Sequence, residues 1–127
     1  MADSSKVPMA WRGLARQNAL AAKLLCERAP RLACPIVSRL YYSLHQAAVA
    51  KLIEAGEVRA KWEHSEVWNE ADLKLRPGIG TQLATLYDWR VKADYAKGRV
   101  TEKQATQFAA IVIPMVVELG VDLEAAA

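Results

Sequence analysis

The chain has 127 residues, a mass of 14.0 kDa, a formal net charge of +3, 53% apolar residues and 24% charged ones. It is long enough to bury one core, and its high apolar and ordinary charged fractions exclude a disordered tail. No apolar run approaches the roughly 18 residues of a spanning helix, no apolar stretch follows a basic start at the N-terminus, and two cysteines (Cys26 and Cys34) are too few for a disulfide framework, so a cytoplasmic protein with reduced thiols and no membrane segment is expected.

Charge is unevenly spread: residues 1–63 carry ten basic and five acidic side chains, residues 64–127 seven and nine. The asymmetry suggests an oriented surface but falls short of a strongly basic nucleic-acid binder. Pro8, Pro35, Gly56, the Pro77-Gly78-Ile79-Gly80 run, Gly98 and Gly120 divide the chain into five segments. Each reads as a helix, because strict apolar–polar alternation and Asn-Gly or Asp-Gly turns are missing.

The first segment, about 8–29, places Leu14, Ala21 and Leu25 on one side and the basic ridge Arg12, Arg16 and Lys23 on the other. That ridge is a candidate phosphate contact. The second starts at Pro35 and ends before Gly56. It carries one apolar stripe of Val37, Leu40, Tyr41, Leu44, Ala48 and Leu52 and a second of Tyr42, Val49 and Ile53. A helix apolar on two sides is either central in a bundle or covered by a partner chain. Arg39 and Gln46 share a side next to Tyr42, whereas His45 lies roughly 120° round from Arg39.

The third segment, about 64–75, turns Val67, Trp68, Ala71 and Leu75 inward. The fourth, about 79–97, has a stripe of Leu83, Leu86, Tyr87, Arg90, Asp94 and Lys97 flanked by Val91 and Tyr95. Arg90 and Asp94 are neighbours on one face, which is either an ion pair fixing helix register or part of a polar cleft with His64, Arg39 or Tyr42. The fifth opens on the capping pattern Thr101-Glu102-Lys103-Gln104 and contains Pro114, which should remove a backbone hydrogen bond and bend the helix. These elements predict an all-α, antiparallel bundle of four main helices plus a short one, filling one domain over residues 1–127. Residues 1–7 and 121–127 are expected to fray, and the Pro-Gly-Ile-Gly run to be the flexible connection. Metal-ligand spacings and phosphate-binding glycine loops are missing, so neither a metal nor a cofactor is expected.

Several stretches resemble one family. Ser38-Arg39-Leu40-Tyr41-Tyr42-Ser43-Leu44-His45-Gln46-Ala47-Ala48 resembles the central helix of the HEPN family (higher eukaryotes and prokaryotes nucleotide-binding domain). Trp62-Glu63-His64-Ser65 resembles the His-Ser opening of its third helix, and Arg90-Val91-Lys92-Ala93-Asp94-Tyr95 its Arg-x-x-Ala-Asp-Tyr segment. The resemblance runs from about Leu14 to Leu119 with order and spacing kept. It implies a homodimer, often encoded beside a minimal nucleotidyltransferase as toxin and antitoxin. Active members are metal-independent ribonucleases using an Arg and a His with four to six residues between them. Arg39 and His45 meet that spacing and would act as transition-state stabiliser and general acid–base, with Tyr42, His64, Arg90, Asp94 and Tyr95 shaping the cleft. In the subgroup with the Tyr-Tyr helix the histidine commonly stands where Gln46 is. Members without the motif bind nucleotides or RNA, or dock protein partners such as the nucleotidyltransferase.

Overall fold

The computed structural model describes residues 6–95 and 100–124, with side chains at 93–95 left out of the description. Five α-helices follow one another: α1 (Lys6–Arg28), α2 (Ala33–Glu54), α3 (His64–Glu70), α4 (Ile79–Tyr95) and α5 (Glu102–Glu118). A π-helical turn, Ala71–Leu75, extends α3. Among the described residues there is no strand, so the chain is an all-α bundle.

Helix α2 is the centre, touching α1, α3, α4 and α5. Its second apolar stripe is therefore covered largely within the chain: Val49 is fully buried, and Tyr42 and Ile53 are half-buried against the core. Burying Tyr41, Ile36, Leu40, Leu44 and Leu52 from this one helix contributes about 1.5–3 kcal/mol per side chain.

Helix α1 turns differently from the sequence expectation. Ala15, Ala19 and Ala22 face the core, whereas Leu14 is 45% exposed and Ala21 and Leu25 lie at the margin. Small residues at i, i+4 and i+7 let two helix backbones approach closely, and here that gain outweighs burial of the larger Leu14. Ser43 of α2 fits this seam by donating to the Ala15 carbonyl at 2.8 Å.

The Pro-Gly-Ile-Gly connection is tied down rather than free. The Asp72 carboxylate, on the π-helical turn, accepts from the Gly78 N–H at 2.9 Å, the Gly80 N–H at 2.8 Å and the Thr81 hydroxyl at 3.3 Å. It satisfies donors at the start of α4 and places a negative charge by the positive end of the helix. The capping box of α5 forms as its pattern predicts: Thr101 accepts from the Gln104 N–H, and Gln104 accepts from the Thr101 N–H. Helix α5 continues through the exposed Pro114.

Of the residues expected to fray, 1–5 and 125–127 lie outside the described residues, and the others are ordered. Lys6 and Val7 belong to α1, Val121 is buried, and the Asp122 carbonyl accepts from Arg16 at 3.1 Å. The chain beyond Gly120 turns back on a positive φ and packs onto α1.

Candidate functional site

Three helices bring their polar aromatic residues to one place. Tyr41, Tyr42 and His45 come from α2, His64 and Trp68 from α3, and Tyr87 and Arg90 from α4. The spacings i, i+4 on α3 and i, i+3 on α4 put each pair on one face. Gly80 allows the start of α4 to lie against the Trp68 carbonyl, which holds α4 close to α3.

Tyr41 is the hub. It is fully buried, and its hydroxyl accepts from the indole N–H of Trp68 at 3.3 Å and lies 2.5 Å from His64 Nδ1. Burial is the largest cause pushing its pKa up to about 12, so the hydroxyl keeps its proton. Because an indole nitrogen only donates, the Tyr41 proton is left for His64 Nδ1. Neutral His64 then carries its own hydrogen on Nε2. Burial first, and the Arg90 charge second, hold the His64 pKa below its ordinary value, with Glu63 opposing them. Near neutral pH His64 is thus an uncharged imidazole whose Nε2–H can donate a hydrogen bond.

Arg90 completes the cluster. It donates to the Tyr42 hydroxyl at 2.7 Å, and its guanidinium carbon lies 5.3 Å from the Tyr42 ring centre, 5.4 Å from that of Tyr87 and 5.9 Å from that of Tyr41. Among the described residues no carboxylate pairs with it, and its buried Nε has no hydrogen-bond partner. A guanidinium resting on ring faces can still donate in its own plane to an incoming anion. Tyr42, His64, Tyr87 and Arg90 are all partly exposed, so a ligand can reach them from solvent.

His45 sits behind this surface and is 6% exposed. Its ring stacks on Tyr41 at 5.8 Å and lies 5.0 Å from that of His64, and its buried Nδ1 has no hydrogen-bond partner among the described residues. Burial, then the neighbouring His64, pulls its pKa down to about 4.

The structure separates the two residues of the Arg-x5-His spacing. Arg39 is exposed and donates to Asn18 Oδ1 at 3.0 Å, and the Asn18 amide donates to Gln46 Oε1 at 2.8 Å. Arg39 and Gln46 therefore line the α1–α2 seam together, while His45 turns toward α3. Two of the three residues of the basic ridge are engaged with the protein's own surface: Arg12 pairs with Glu54, and Arg16 reaches Asp122. The Asp94 and Tyr95 side chains lie outside the described residues, and with them the expected Arg90–Asp94 pair. Among the described residues no group of three or more His, Cys, Asp or Glu side chains could hold a metal ion.

Sequence reasoning placed Tyr41, Tyr87 and Trp68 in apolar stripes and missed their polar atoms. The available signal was strongest at Tyr41, whose hydroxyl, once buried, is obliged to find a partner. No protein-family model matches the chain, and no curated protein or solved structure shows significant similarity to it.

Proposed function

We propose that this chain is a HEPN-like, non-catalytic domain that binds the phosphate of a nucleotide, free or within RNA, at the Tyr42–His64–Tyr87–Arg90 surface. One observation carries the reading: Arg90 is spread over three tyrosine rings, has no carboxylate partner among the described residues, and lies beside a neutral imidazole donor. Phosphate suits a planar, permanently charged guanidinium, and partly exposed tyrosine rings suit a base. The segments that supply these residues are those that resemble the family. The ribonuclease alternative is less well supported. Its histidine would be His45, which is buried and neutral, and its arginine would be Arg39, on another side of α2. The resemblance also implies a homodimer and a nucleotidyltransferase partner. Exposed Leu24, Ile111 and Val117 on α1 and α5 leave apolar surface for such a partner chain.

Calorimetric titration with ATP and with a short oligoadenylate tests the binding claim. Arg90→Gln is expected to weaken both by at least about tenfold, the loss of one charge-assisted contact, with the fold retained by circular dichroism. Arg39→Gln should bind like the unaltered chain, which should leave the RNA uncut. RNA cleavage that disappears in both Arg39→Ala and His45→Ala would restore the ribonuclease reading. Absence of binding to either ligand would remove the nucleotide reading. Light scattering should give twice the 14.0 kDa chain mass; a monomer at micromolar concentration would overturn the dimer.

A further inference from the structure

His64 occupies an unusual electrostatic position within this cluster. Its ring lies 5.3 Å from that of Tyr87, which in turn lies 5.4 Å from the Arg90 guanidinium. The groups facing it are Tyr41 and His45 from α2, Tyr87 and Arg90 from α4, and Glu63 before it in the chain. Only Arg90 and Glu63 of these are charged near neutral pH. The cation therefore opposes a proton on His64, and an anion laid against Arg90 cancels that opposition and adds attraction of its own.

We infer that phosphate binding at this surface is proton-coupled: His64 takes up one proton from solvent as the anion seats beside Arg90. The inference rests on the ligand site proposed above. The proton goes to Nδ1. The Tyr41 hydroxyl then turns from donating to that nitrogen to accepting from it, while its oxygen still accepts from Trp68. The contact survives in both states, while the buried Tyr41 hydrogen gives up its acceptor, a cost that the attraction of the anion for His64 has to exceed. His64 then offers two charge-assisted donors, Nε2–H outward and Nδ1–H inward. Affinity should rise about three- to tenfold from pH 8 to pH 6, a span that brackets the ordinary imidazole range.

The test uses a short oligoadenylate, whose phosphodiesters do not titrate in this range. Calorimetry at pH 6.5 in two buffers of different ionisation enthalpy counts the protons taken up. The unaltered chain should take up a substantial fraction of one proton. His64→Gln should take up none and show affinity that is flat with pH, and His45→Leu should retain the uptake. The His64 Cε1–H resonance, followed by NMR against pH, should titrate at higher pH with ligand than without and needs no variant. Binding without proton uptake, or uptake that survives His64→Gln, would overturn the coupling and leave the site standing. No binding at any pH would overturn both.

Discussion

Gly80→Ala should be more damaging than an alanine at any other described glycine. A Cβ there would overlap the Trp68 carbonyl oxygen, with the Trp68 carbonyl carbon 2.7 Å away and the Asp72 carboxyl carbon at 2.9 Å. Two of the three obstacles are backbone, which cannot turn aside as a long side chain can. Relief requires α4 to back away from α3, which would strain the Asp72 bonds to Gly78, Gly80 and Thr81. The expected cost is about 3–5 kcal/mol, toward the upper end for one substitution, and it should lower Tm by roughly 10–20 °C or prevent folding. Gly13→Ala is the matched control. It is exposed on α1 with nothing within 4 Å of its added carbon, and should be neutral or slightly stabilising. Equal melting temperatures for Gly80→Ala and the unaltered chain would mean that α3 and α4 do not meet as described.

The second large effect is the dependence of stability on acid. His45 has an ordinary pKa of 6.5 and a folded one of about 4. Between those values the unfolded chain binds the proton that the folded chain refuses, so stability is present at neutral pH and is lost as pH falls from 6.5 toward 4. The loss attributable to His45 is about 3 kcal/mol. His64 contributes in the same direction. Denaturant melts of His45→Leu should show this part of the pH dependence removed, because leucine fills the space without a proton to gain. At pH 7 the variant should be no less stable, since it also removes the unpartnered Nδ1. Identical pH profiles for variant and unaltered chain would show that His45 is hydrated in the native state.

The order and extent of the helices were legible because punctuation and period agree. The capping box marks the start of α5, and glycines follow the ends of α2 and α5. The orientation of α1 was not legible, because hydrophobic size favours Leu14 whereas close packing favours Ala15, Ala19 and Ala22. The Asp72 cap was not legible either. It comes from a different element, eight residues before Gly80, and no local pattern marks it. At the site, sequence reasoning named Tyr42, His64 and Arg90 together, and α2, α3 and α4 do bring them to one surface. It could not tell that His45 lies behind that surface, because a helical period gives the angle of a residue but not which neighbour covers it. Nor could spacing alone show that Arg39 would join Asn18 and Gln46 instead of His45.

The central claim is where the ligand sits, and amide and side-chain NMR shift mapping on titration with a short oligoadenylate tests it most directly. The largest shifts should fall on Tyr42, His64, Tyr87 and the Arg90 Nε–H, with smaller ones at Tyr41 and Trp68 behind them. Shifts centred on Arg12, Arg16 and Lys23, or on the Arg39–Asn18–Gln46 seam, would contradict it.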